Sequence, residues 1–456
     1  MSLREQMDSG AMSRHQWGTV ALCVLLNIVD GFDILVMSFT SNSVTEEWGL
    51  SGSQLGTLLS AGLIGMALGS LFVAPWADRV GRRPLVLGCL ALVTVGMLAS
   101  AAAQAPWQLA LLRAITGLGM GGIIVSANVI ASEFASARWR GLAVSLNTVG
   151  YPFGAMMGGV VAVVLQSHYS WRAVFVFGAI MTAVSFVILA IRLPESVDIL
   201  YLSQSPDALA KINTLALKME KNPVLSLDST SVLPLPEKPG LRELLTPRNR
   251  RVTLILASGF FLTMFGFYFV QSWTPRLLVT AGLSENQGNI GGTMLNVGGM
   301  LGSALLGYLA ARISLRFLLV SFLTLSGVLL CALALSTSSL VAAFSIAVLI
   351  GMFANGCMAG LYAVSTGAYE ARIRATAVGA AVTVGRTGAI VAPLVAGILV
   401  DLSWSTLAIY AIMSLPFFLA ASVVSRLGAA HRNSSEAATD VSSEARARHL
   451  RADTDA

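Results

Sequence analysis

Twelve apolar runs of roughly twenty residues or more, set along 456 positions, constrain this chain more than any other feature. A bilayer core about 30 Å thick takes roughly 20 apolar residues per helical crossing. The runs fall at residues 17–40, 54–76, 84–104, 107–131, 140–165 and 171–192, then 251–280, 286–311, 315–336, 339–363, 374–400 and 404–427. Only 11% of residues are charged, against about a quarter in soluble domains. A soluble enzyme, a nucleic-acid binder and a disordered scaffold are therefore excluded. The expected fold is an all-α integral membrane protein with twelve transmembrane helices.

The first run carries two aspartates and no small-residue cleavage site, so it reads as a retained helix and not a signal peptide. Cys23, Cys89, Cys331 and Cys357 all fall inside apolar runs without metal-ligand spacing, which predicts packing residues and no metal site. Of 29 basic residues, 25 fall at loops or termini on one side if the chain starts inside. Only Arg172 and Arg276 fall on the other side, and Arg113 and Arg386 fall within the membrane. By the positive-inside rule both termini are expected in the cytoplasm. The formal charge of +6 then orients the chain and requires no nucleic-acid partner.

The expected units are a cytoplasmic segment at 1–16, a six-helix half at 17–192, a cytoplasmic linker at 193–250, a second six-helix half at 251–427 and a disordered tail at 428–456. The linker holds seven prolines around one helix-like stretch from Ala208 to Lys221. An internal repeat supports the two halves. Residues 307–316 repeat 74–83 in degraded form, and Arg372-Ile373-Arg374-Ala375 matches Arg138-Trp139-Arg140-Gly141 at nearly the same offset. Parallel repeats of this kind mark secondary transporters whose site lies between the halves near the midplane.

The loop Asp78-Arg79-Val80-Gly81-Arg82-Arg83 resembles the signature loop of the major facilitator superfamily, and with the twelve runs and the half repeat the resemblance covers the whole chain. It implies a gating latch in which Asp78 pairs with a neighbouring basic residue in one of two conformations. Arg79, Gly81, Arg82 and Arg83 complete that loop. Basic anchors that merely hold the loop in the cytoplasm are the alternative. Ala74 stands where a glycine is usual, and the second copy has Ala311 and Ser314 in place of Asp and Gly, so latch chemistry is expected mainly in the first half.

Charges inside a membrane are costly and mark functional candidates. Asp30, Asp33, Arg113 and Arg386 lie well within the runs. At about 1.5 Å per residue, Asp33 and Arg113 each sit roughly 10 Å below the outer ends of their helices, while Asp30 and Arg386 sit near mid-bilayer. The depths pair Asp33 with Arg113 and Asp30 with Arg386 across a cavity, or else fix helix packing; azimuth is not readable. Asp30 and Asp33 share a helix face with Asn27. Two neighbouring carboxylates in a low dielectric resist joint ionisation, as a proton-coupling site requires. His15, His168, His431 and His449 fall in loops or tails, which leaves a carboxylate as the proton carrier. Glu133, near Arg138 and Arg140, is expected either in an ion pair there or in proton release.

The run Asp30-Gly31-Phe32-Asp33 together with the basic loop resembles the aromatic acid:proton symporter branch of the superfamily. Further matches are the span-four run from Arg113 to Gly122, Pro194-Glu195-Ser196, and Gly385-Arg386-Thr387-Gly388 leading to Pro393. That resemblance implies import of benzoate-type or hydroxybenzoate-type carboxylates, Asp30 and Asp33 as acids needed for uptake, and Arg386 as the favoured carboxylate ligand. The glycines at 117, 119, 121 and 122 lie in mid-span without a preceding strand and read as close helix packing. Phe265, Tyr268 and Gln271 or Ser272 follow helical spacing on one face of span seven. With Tyr151, Asn147, Asn296, Asn355 and Tyr362 they form a second tier of substrate contacts.

The expected function is proton-coupled uptake of an aromatic carboxylate by alternating access, in a bacterial-type inner membrane, by a monomer. No cofactor beyond the proton is expected. Proton-driven efflux and a signalling receptor for the acid are the rival readings. Catalysis is disfavoured because no nucleophile, metal or cofactor constellation is present.

Overall fold

The computed structural model describes residues 3–203, 207–225, 241–247, 249–336, 339–369 and 371–427, and these are all-helical. Twelve described helices are long and apolar enough to cross a membrane. The first six are α1 (Arg14–Trp48), α2 (Gly52–Val80), α3 (Arg82–Ala101), α4 (Pro106–Phe134), α5 (Arg140–Gln166) and α6 (Arg172–Arg192). The second six are α7 (Arg250–Thr280), α8 (Glu285–Ala310), α9 (Leu315–Leu335), α10 (Leu340–Gly367), α11 (Arg372–Asp401) and α12 (Thr406–Ser425). Residues 428–456, expected to be a disordered tail, lie outside the described residues.

Each half is built on the same pairings. In the first, α1 packs on α5, α2 on α4 and α3 on α6; in the second, α7 packs on α11, α8 on α10 and α9 on α12. Glycine permits the closest approaches. A Cβ on Gly154 would lie 1.9 Å from the Ile28 carbonyl oxygen, and one on Gly117 would lie 2.1 Å from that of Gly62. The span-four glycines therefore do what the sequence predicts, letting two backbones touch where a side chain would separate them.

The halves meet through α2 with α11, α5 with α8, and α1 with α7. Among the described residues, the hydrogen bonds that join them lie on the side away from the basic loops. There Ser38 Oγ donates to the Gln271 and Ser272 carbonyls at 3.0 and 2.8 Å. Ser43 Oγ donates to Glu285 at 2.5 Å, Ser60 Oγ to the Ile390 carbonyl at 2.8 Å, and Arg276 to Asn42 Oδ1 at 2.8 Å. The two halves are thus clasped on the face opposite the basic loops.

Two local expectations need correction. The first helix runs eight residues past Thr40, to Trp48, because its polar outer turn finds partners on neighbouring helices: Asn42 with Arg276, Ser43 with Gln166, and Glu47 with Trp171 and Arg172. The linker helix ends at Lys218 instead of Lys221, and a second short helix, Val197–Ser203, precedes it. The segment ahead of α1 also holds a helix, Leu3–Ser9, whose Leu3 and Met7 are buried. It is tied to the linker helices by Arg4 to Asp198 at 2.5 Å and by the Leu3 amide donating to the Tyr201 hydroxyl at 3.2 Å.

Candidate substrate and proton site

Asp33 and Arg113 are both about 2% exposed at the side chain and form a two-pronged pair. Arg113 Nη1 donates to Asp33 Oδ1 at 3.0 Å and Nη2 to Oδ2 at 2.9 Å. Nη2 also donates to the Asp33 carbonyl at 2.8 Å. The guanidinium lies 5.9 Å from the centre of the Phe175 ring and touches Met97 Sδ at 3.5 Å. Depth matching pairs these two residues, but the expectation that they face each other across a cavity is corrected. The bond joins α1 to α4 inside the first half, and beside it is a space of only about 10 Å³. The planar fork of arginine fits a carboxylate edge in this way, and Arg113 has little left to offer a ligand.

Three residues earlier on α1 the surroundings differ. Asp30 is 3% exposed, yet its Oδ1 has no hydrogen-bond partner. Arg386 on α11 lies within electrostatic reach of Asp30, of Tyr268 and of Tyr362. It forms no ion pair or hydrogen bond among the described residues, so the expected Asp30–Arg386 pair is not closed. Tyr151 on α5, whose hydroxyl is also buried without a partner, interacts electrostatically with both Asp30 and Tyr268. One carboxylate, one guanidinium and three phenols, from α1, α5, α7, α10 and α11, are thus linked electrostatically across the two halves.

The second-tier residues divide. Gln271 Nε2 donates to Asn296 Oδ1 at 3.0 Å, while Gln271 Oε1 is buried without a partner. Tyr362 stacks edge-on against Phe260 at 5.3 Å, and Phe265 lies against Phe261 at 6.3 Å. Asn27 and Asn147 are committed to one another at 2.7 Å, and Asn147 donates to Asn128 as well. Asn355 is only weakly engaged, by Ser303 at 3.4 Å.

At the basic loops the expected latch has different partners. Asp78 is exposed and forms no ion pair or hydrogen bond among the described residues. Arg79 is exposed beside it. Glu195 instead receives the Arg82 and Arg83 amides at 2.9 and 3.2 Å. These amides head α3, where a carboxylate satisfies free donors and the helix dipole together. Gly81, at φ +102°, makes the turn, and Glu195 Oε2 would lie 2.6 Å from any Cβ added there. Arg83 also donates to the Ala190 carbonyl at 2.6 Å. Glu133 does not pair with Arg138 or Arg140; it binds Arg82 at 2.5 Å, accepts from Ser196 and receives the Asp198 amide at 2.8 Å. Arg140 is drawn away by Asp8 of the N-terminal helix.

Sequence reasoning missed Glu195 and Ser196 as latch members and Asp401 as a clasp. Asp401 ends α11 and caps α2 of the other half, receiving the Gly52 amide at 2.5 Å, the Ser53 amide at 2.8 Å and the Ser53 hydroxyl at 2.5 Å. The visible signals were the Pro194-Glu195-Ser196 run and Ser51-Gly52-Ser53-Gln54, a capping box whose Ser51 and Gln54 do reciprocate at 3.2 and 3.0 Å.

Comparison with known proteins puts the chain among membrane transporters and not enzymes. The sequence pattern of the Major Facilitator Superfamily matches residues 21–339 and again 282–453, and the chain belongs to that family. It is 30% identical over 444 residues to a gallate transporter of Pseudomonas putida, spanning 96% of this chain and 98% of that one. It is 32% identical to a 3-(3-hydroxy-phenyl)propionate transporter of Escherichia coli, over 86% and 89% of the two chains. A 4-hydroxybenzoate transporter of Pseudomonas aeruginosa is 28% identical, over 92% and 94%. Among solved structures, a D-xylose-proton symporter superposes with a TM-score of 0.68 at 17% identity, covering 90% of this chain and 97% of the other. That likeness concerns the fold.

Proposed function

We propose that this transporter imports a hydroxylated aromatic carboxylate with one or more protons, by alternating access across a bacterial inner membrane, with the basic face in the cytoplasm. The observation that carries the reading is the unpaired Arg386 guanidinium within electrostatic reach of Asp30, Tyr268 and Tyr362. The relatives named above act on gallate, 4-hydroxybenzoate and 3-(3-hydroxyphenyl)propionate. Those molecules share a ring, a carboxylate and at least one phenolic hydroxyl. Arg386 offers a fork for the carboxylate, Tyr268, Tyr362 and Phe265 offer ring faces and edges, and Tyr151, Gln271 and Asn296 offer partners for the hydroxyl. Arg113, saturated by Asp33, is a positioning residue within its half. One chain supplies all these groups, so a monomer suffices.

In the import cycle the clasp on the far face opens and admits the acid and a proton. Protonation of Asp30 removes its attraction for Arg386, which turns to the substrate carboxylate. With the charges matched, the halves close outside and part at the basic loops. Release of the acid toward the cytoplasm returns Arg386 to Asp30 and expels the proton. Efflux requires the same groups in reverse order.

The test is uptake by proteoliposomes under an imposed pH gradient, with a panel of aromatic acids, aliphatic acids and sugars. Hydroxylated aromatic acids should accumulate. Arg386→Gln should lower uptake about tenfold to hundredfold, the factor expected when charge-assisted hydrogen bonds are lost, and Asp30→Asn should abolish the response to the gradient. Uptake of sugars alone, or Arg386→Gln uptake equal to the parent's, overturns the substrate assignment. An unchanged pH response in Asp30→Asn overturns the proton role. Cells expressing the protein should gain labelled acid; lowered accumulation would reverse the direction.

A further inference from the structure

On the basic face, the start of α1, the end of α6 and the linker helix Ala208–Lys218 enclose a groove of about 570 Å³. Arg14, His15, Gly18, Thr19, Ala21, Leu22 and Leu25 line it from α1, Ile191 and Arg192 from α6, and Lys218 from the linker helix. None of the three basic side chains forms an ion pair or hydrogen bond among the described residues. His15, which Lys218 reaches electrostatically, keeps a buried Nε2 without a partner. All three basic side chains are exposed, and around the half-buried His15 they give the groove a basic rim that attracts anions.

The position of the groove says where that anion comes from. On α6, Val176, Ile180, Val184, Val187 and Ile191 are 38%, 57%, 53%, 54% and 76% exposed. Their spacing of three and four residues puts them on one helix face, and an exposed apolar face of a membrane helix is its lipid face. That face runs directly into the groove at Ile191. On α1 the cation at Arg14 lies eleven residues from Leu25, about 16 Å along the axis. The groove therefore has a basic mouth at headgroup level and an apolar wall descending into the leaflet.

We propose that this groove binds one anionic phospholipid of the leaflet on the basic face. Its phosphate sits among Arg14, Arg192 and Lys218, His15 Nε2 takes an additional headgroup oxygen, and one acyl chain lies along Leu22, Leu25 and Ile191. The lipid bridges α1, a helix of the substrate site, to the linker between the halves. This site is independent of what the protein carries.

The test is native mass spectrometry of the full-length protein from nanodiscs of phosphatidylcholine with or without phosphatidylglycerol. One phosphatidylglycerol should stay bound where phosphatidylcholine does not. Each basic residue near a membrane surface contributes roughly a fivefold factor, so Arg14→Gln, Arg192→Gln and Lys218→Gln together should weaken retention about a hundredfold. Should the triple variant fail to fold, Lys218→Glu alone, at an exposed helix end, should still weaken it at least fivefold. Equal losses in an Arg251→Gln, Arg312→Gln control would reduce the effect to general surface potential and overturn the site. Displacement of the lipid by millimolar inorganic phosphate would reassign the groove to free phosphate and overturn the lipid assignment.

Discussion

Two arginines within the membrane have opposite availability, and the difference lies in their neighbours. Arg113 spends its fork on one carboxylate and one carbonyl, all from Asp33, whereas Arg386 has no such partner. Removing one member of a buried pair strands a charge and costs about 3–5 kcal/mol, while replacing both with apolar residues is often neutral. Asp33→Ala should therefore lower the thermal unfolding midpoint in detergent strongly, and Asp33→Leu with Arg113→Met should recover most of it. If the double variant also transports, the pair is structural; if it is stable but inert, Asp33 belongs to proton coupling. Sequence alone made these residues legible as charges at matched depth. It could not distinguish a pair closed inside one half from a pair across the halves, because that depends on helix azimuth.

Between elements, the same limit explains the misread latch and the missed clasp. The loop from Asp78 to Arg83 announces itself by composition, yet its amides are held by Glu195, which follows α6 more than a hundred residues later. Asp401 sits at the end of α11 with nothing in its local sequence to link it to Ser53. Its three bonds to the first turn of α2 act as a cap supplied by the opposite half. Losing a cap costs about 1 kcal/mol; under the proposed cycle this one breaks when the far face opens, so its loss should favour the opened form about fivefold. Ser60→Cys places a thiol at a position fully buried between the halves. In that background Asp401→Ala should raise its modification by an impermeant thiol reagent several-fold. An unchanged rate would mean the clasp does not gate.

At the scale of the whole molecule, twelve spans in two halves were legible because hydrophobic length and repeated loops are one-dimensional signals. The helix ahead of α1 was not. Leu3–Ser9 is too short for a periodic pattern, and it is fixed by Asp198, Tyr201 and Arg140 from elsewhere in the first half and the linker. Burying Leu3 and Met7 contributes about 3–6 kcal/mol before the entropy of ordering is set against it. Deletion of residues 1–9 should thus lower the unfolding midpoint and speed proteolysis within the linker, which a time course of limited digestion checks. The closed Asp33–Arg113 pair has one more consequence. As both charges ride on the same rigid half, rocking that half moves a dipole and not a net charge through the membrane voltage, where a lone charge would feel about 2.3 kcal/mol per 100 mV. Under the proposed cycle, with one proton per monoanion, neither the empty nor the loaded carrier would then carry net current. Uptake would follow the pH difference alone, and a potassium–valinomycin diffusion potential would leave its rate unchanged.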